Sequence, residues 1–96
     1  MRLAMAFVFD AHTAPDLANW RQGVRFCMVD GTRRATCLIG TSTLRELGPD
    51  ELESDKQCLA QFYLHCGVIA SAAARLLGAG VSEGNSIVQV MLANLL

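Results

Sequence analysis

Few places in this chain offer side chains with chemistry. Asp10, His12 and Asp16 fall within one short stretch, where a D-x-H spacing sets an imidazole beside carboxylates that a divalent ion could use. A structural site needs about four ligands. Three are visible, so a solvated loop is the better reading and no metal is assigned. His65 beside Cys66 suggests a base and a thiol nucleophile. Successive helical residues point about 100° apart, however, and cannot exchange a proton directly. Arg21, Arg25, Arg33 and Arg34 could gather on the exposed side of a hairpin with Trp20 as a stacking platform, making a face for an anion or a nucleic acid. The competing role of strand arginines is to keep a sticky surface soluble and to block unwanted edge pairing, and it carries more weight here. Eight Lys and Arg against nine Asp and Glu give a formal charge of -1, so nucleic acid is a possible but not a favoured partner. A Ser-His-Asp order, a Gly-rich phosphate loop, an HExxH pair and a nucleotide fingerprint are all missing. No catalytic residue and no cofactor follow from this pattern, which argues against an enzyme.

The frame that must position these groups is small. Ninety-six residues support one domain with one core. At 52% hydrophobic and 18% charged, the chain is neither a disordered tail nor a polar linker. Cys27, Cys37, Cys58 and Cys66 show no CxxC pair and read as reduced core residues, which suits a cytoplasmic setting. A Cys27–Cys37 bridge across a hairpin is the sharper alternative. The run Met1 to Phe9 is too short for a signal peptide and ends at Asp10 without a cleavage site. Between Cys58 and Leu77 the apolar stretch is interrupted by Gln61, His65 and Ser71, so it reads as a buried helix and no membrane partner is expected.

Leu3 to Phe9 reads as a strand followed by a loop, with Asp16 capping a helical turn through Trp20. From Gly23 the period is two: Val24, Phe26 and Met28 form the buried side, with Arg25, Cys27 and Val29 opposite. Asp30-Gly31 turns the chain back through Arg33 to Ile39. The Thr43–Glu46 capping spacing, a left-handed stop at Gly48 and Pro49 predict a short helix over residues 43–47. Asp50 and Glu53 repeat the device before a long helix, whose stripe Leu59, Phe62, Cys66, Ile69, Ala73 and Leu76 faces the sheet. Gly78 and Gly80 end that helix, Glu83-Gly84-Asn85 turns, and Ile87 to Leu92 forms a last, uncharged strand. The expectation is a single α+β domain over residues 1–96. Its antiparallel sheet of three or four strands packs on one long helix, with a short helix before it.

The order Asn19-Trp20-Arg21-Gln22-Gly23-Val24-Arg25-Phe26, then Val29-Asp30-Gly31, then Cys37-Leu38-Ile39 and a short capped helix resembles the bacterial domain-of-unknown-function family 1488. The resemblance covers most of the chain in element order and is densest between Trp20 and Leu47. It implies a small α+β fold in a bacterial cytoplasm and implies no reaction. The chain departs from the pattern in the low charge of its main helix, and in a loop after Gly31 that is a residue longer, which bears on the hairpin register.

That low charge matters. Beyond the core stripe the helix carries Leu64, Val68 and Ala72, together with the small run Ala70 to Ala74, more apolar surface than one chain of this size covers. The expected partner is therefore a second copy, a dimer in preference to a larger oligomer, meeting at Leu64, Val68 and Ala72 and at the edge of the terminal strand. The functional expectation is a small non-enzymatic, self-associating interaction protein, with anion or nucleic-acid binding at the hairpin arginines as its rival.

Overall fold

The computed structural model describes residues 7–17, 23–48, 52–78 and 87–95. In chain order they form β1 (Val8–Phe9), β2 (Asp16–Leu17), β3 (Gly23–Asp30), β4 (Arg33–Gly40), α1 (Thr41–Leu47), α2 (Asp55–Leu64), α3 (Cys66–Gly78), β5 (Val88–Val90) and α4 (Leu92–Leu95). The architecture is the expected α+β one. β3 and β4 make its centre, β1 and β2 both pair antiparallel with β3, and β5 lies beyond β4.

Period-two alternation builds the two central strands. Val24, Phe26 and Met28 are buried, and their partners Ile39, Cys37 and Ala35 continue the same face across β4. Phe9 opposite Met28 and Leu17 opposite Val24 extend that face on one side. Val88 beside Cys37 and Val90 beside Ile39 extend it on the other. The helices supply Leu44, Cys58, Phe62, Ile69, Ala72, Ala73 and Leu77 to the same core. Phe62 is its hub, with ring centroids 5.1 Å from Phe26 and 6.0 Å from Phe9. The hairpin closes on a two-residue loop with Gly31 at φ 63°, and Asp30 faces Arg33, which settles the register.

At Gly23 the strands come so close that a β-carbon would strike the Ile39 carbonyl oxygen of β4. Gly48 is also needed for room, and does not form the expected left-handed stop. Its backbone is extended, at φ -147°, and a β-carbon there would fall on the Gln61 side chain. That buried amide donates from Nε2 to the Leu44 carbonyl at 3.1 Å, so a side chain from α2 satisfies one of the last carbonyls of α1.

Several local expectations are corrected. α1 begins at Thr41 straight after β4, without a side-chain cap, so Thr43–Glu46 is not its capping pair. α2 is capped by Ser54. Its hydroxyl accepts from the Gln57 amide at 3.1 Å, while Gln57 Oε1 accepts from the amides of Ser54 and Glu53. Glu53 thus lies before the helix, and Asp50 is outside the described residues. The single long helix is two: His65 leaves helical geometry at φ -110°, ψ 17°, and the pattern resumes when the Ile69 amide donates to the His65 carbonyl at 3.0 Å. Gly67, a poor helix former, lies two residues beyond this break. The stripe survives it, with Phe62, Ile69 and Ala73 fully buried and Leu59, Cys66 and Leu76 packed at the margin.

Asp16 lies in β2, opposite Arg25, and caps no helix; residues 18–22, including Trp20 and Arg21, are outside the described residues. So are most of the expected first strand, Gly80 and the turn at residues 83–85. The last strand is shorter than expected and runs parallel to β4, because the helices between them carry the chain back to the end where β4 began. It stops where Asn94 Oδ1 accepts from the Met91 amide at 2.8 Å, turning the chain into α4. The four cysteines are thiols. A bridge between Cys27 and Cys37 is ruled out by register: Cys27 faces Thr36 and Cys37 faces Phe26, on opposite sides of the sheet. No helix among the described residues is long and apolar enough to cross a membrane.

Candidate functional site

The side of β3 and β4 away from the helices carries Arg25, Cys27 and Val29 on one strand and Arg34, Thr36 and Leu38 on the other. Along the β3 edge lies the loop of residues 10–15, pinned where the Asp10 amide donates to the Cys27 carbonyl at 2.9 Å. Asp10 is buried and works as the loop's internal acceptor. Its carboxylate takes the His12 amide at 3.0 Å, the Thr13 hydroxyl at 2.6 Å and Arg34 Nη2 at 3.2 Å. The Thr13 hydroxyl above all, then the His12 amide, and more weakly Arg34, hold this carboxyl below its ordinary pKa against the opposing effect of burial. Arg34 Nη2 also donates to Thr13 Oγ1 at 3.0 Å.

Arg25 is held from the other side. Its Nε and Nη2 donate to the two oxygens of Asp16, each at 3.1 Å, a bidentate pair that β2 aligns by standing opposite β3. Between the two anchored guanidinium groups lies a cleft of about 350 Å³, with Thr13 and Ala14 on its loop side and Cys27 and Thr36 from the strands.

The expected anion face is thereby divided. Arg25 and Arg34 share the cleft, whereas Arg33 lies on the opposite side at the hairpin tip, stacked 4.8 Å from the Phe7 ring centroid. Its Nη1 is 3.7 Å from Asp30 Oδ2, a buried oxygen that accepts no hydrogen bond among the described residues. Trp20 and Arg21 fall outside the described residues. The three metal candidates are likewise parted: Asp10 is engaged by Arg34, Asp16 by Arg25, and His12 is exposed. Among the described residues no group of three His, Cys, Asp or Glu is placed to hold a metal ion.

Cys37 and Cys66, away from the cleft, are poor nucleophiles. Burial pushes Cys37 up to about 12, with a smaller push from Cys27, and burial raises Cys66 as well. His65 closes α2 and has its Nε2 buried without a hydrogen-bond partner among the described residues.

Of the residues expected at an oligomer surface, two are exposed and one is not. Leu64 and Val68 are exposed to 70% and 50%, and Tyr63, which the sequence reading passed over, to 54%. Ala72 is a correction: it is fully buried with Ala73, because α3 packs two adjacent small residues into the core, so it has no surface to offer a partner. Sequence reasoning also missed Thr13, Cys27 and Thr36 as cleft residues. The signals were there, since Cys27 alternates in phase with Arg25 and Thr13 sits three residues after Asp10, where a short polar side chain closes a local turn.

The family model described as a protein of unknown function, DUF1488, matches residues 9–88. No curated protein matches. The fold is similar to that of a crystal structure at 1.60 Å of a protein of unknown function from the DUF1488 family of Shewanella loihica PV-4, with a TM-score of 0.80 at 17% identity over 93% of this chain and 96% of that one. At this identity the likeness speaks for the fold, and the match over residues 9–88 speaks for descent. Together they place this chain in the DUF1488 family.

Proposed function

We propose that the protein is a non-enzymatic interaction module of the bacterial cytoplasm that pairs with a second copy of itself through Leu64, Val68 and Tyr63. One observation carries the reading: these large apolar side chains are each at least half exposed, on a stretch that holds no formal charge between Lys56 and Arg75. Singly exposed apolar residues need no explanation, but a contiguous uncharged group of them marks an interaction surface. Gly67 and Ser71 beside Val68 are small and exposed, which lets a second helix approach closely. A two-fold arrangement would set the same patch against itself and bury both copies at once.

The rival, a polyanion face, loses support because each described arginine of the hairpin is matched by an acid: Arg25 by Asp16, Arg33 by Asp30 and Arg34 by Asp10. Sedimentation of the wild type beside Val68→Glu tests the proposal. The expected result is a dimer at micromolar concentration and a folded monomer for the variant. A wild-type monomer, or a variant of unchanged mass, overturns it. Retention on a polyanion column that falls steeply with salt would favour the rival.

A further inference from the structure

We infer that the cleft between Arg25 and Arg34 is a binding site for a small organic monocarboxylate. Unused donors point to the ligand. A guanidinium carries five N–H groups. Arg25 spends its Nε and one Nη2 hydrogen on Asp16, and Arg34 spends Nη2 on Asp10 and Thr13. Nη1 of both residues and Nε of Arg34 have no partner among the described residues, and both side chains line the same cleft. The acids are thus best understood as positioners. The Asp10 carboxylate is filled by three donors and fixed to the sheet through its own amide, and Asp16 is gripped by two nitrogens. A guanidinium held this way has already lost the rotamer freedom that binding would otherwise cost.

Size and charge narrow the ligand. A volume of about 350 Å³ lies at the small-metabolite end of ligand sites. The sheet contributes a hydroxyl at Thr36 and a thiol at Cys27, and the loop a hydroxyl at Thr13, which suit a short polar body. Among the described residues two arginines are balanced by two aspartates, which leaves the site without net charge. A monoanion with planar geometry fits the remaining N–H groups, while a dianion or a nucleic-acid strand would meet the Asp16 carboxylate, 65% exposed on the same cleft.

Acetate, lactate and benzoate serve as probes in an amide and arginine Nε NMR titration of the full chain, with inorganic phosphate and a short oligonucleotide as competing arms. The expected result is saturable shifts at Cys27, Thr36 and Arg34 with at least one carboxylate. Affinity should fall about tenfold or more in Arg34→Gln and in Arg25→Gln, since each loses a charge-assisted hydrogen bond. Thr36→Val keeps side-chain volume on an exposed position and should weaken binding while leaving the spectrum folded, so the test survives if an arginine variant unfolds. The inference is overturned if no carboxylate saturates, if phosphate or the oligonucleotide binds as tightly, or if the shifts persist in the variants. None of these outcomes depends on self-association through the helices.

Discussion

The two sides of the β3–β4 ribbon share one backbone and one set of ladder bonds, yet different physics holds them. Inward, Val24, Phe26, Met28, Cys37 and Ile39 are buried against helices, and their energy is set by packing. Outward, Arg25, Arg34 and Thr36 meet only a short loop and the edge strand β2, and their arrangement is set by paired charges and hydrogen bonds. Exposed ion pairs contribute little to stability. They do fix orientation, so the outer side can carry a binding site without the fold depending on it. The lesson is a division of labour by strand parity: changes at one parity should cost stability, and changes at the other should cost recognition.

The largest effect is expected at the inner hub. Phe62→Ala removes a fully buried ring between Phe26 and Phe9 and should cost about 3–5 kcal/mol in urea unfolding. A loss under about 1 kcal/mol would mean that the inner side is not the organising one. Next comes Gly23→Ala, whose β-carbon meets backbone that cannot swing aside. It should destabilise by about 1–3 kcal/mol and weaken the β3–β4 pairing at the Gly23–Gly40 end, read by amide exchange of the strand. Gly31→Ala forces a side chain into φ 63° with open space around it, so only the conformational cost remains, about 1 kcal/mol.

The outer side should respond to pH. Asp10 has a lowered folded-state pKa, so its stabilisation is present above the ordinary value of 3.8 and is lost as pH falls through the folded value. The stability gap between wild type and Asp10→Asn should therefore be constant near neutrality and close below pH 3.8. A gap that widens on acidification would reverse the sign and disprove the role given to Thr13 and His12. The smallest effect belongs to Thr36→Val, within about 0.5 kcal/mol of wild type, as befits an exposed outward position.

Much of the inner side was legible from alternation alone. Val24, Phe26 and Met28 announce a strand, Asp30-Gly31 a reversal, and Phe62, Ile69 and Ala73 a helix face, because burial imposes periods that a sequence must display. The outer site was half legible. Arg25 stood out, but Arg33 and Arg34 were grouped although neighbours on a strand must point to opposite sides. Helix starts were misplaced because several Ser, Thr and Asp spacings look like caps, and the chain uses only some of them: Ser54 and Gln57 form the cap of α2, whereas α1 begins at Thr41 straight after β4, two residues before Thr43. Ala72 was misjudged because a helix wedged between a sheet and its neighbours buries a wider arc than one stripe. The parallel placement of β5 left no local trace, since a three-residue strand reads the same in either direction.

The position of β5 also governs how the molecule comes together. Cys37 and Val88 lie side by side but about fifty residues apart in sequence, while the hairpin beside them is joined by two. Loop-closure entropy grows with that separation, so the ribbon should form early and the outer rail should dock only after the helices have assembled. Unfolding would then start by detachment of β5, exposing a fresh β4 edge to which another chain could add. Susceptibility to aggregation should track how firmly Val88 and Val90 are seated, a property that stabilising the hairpin alone would not improve.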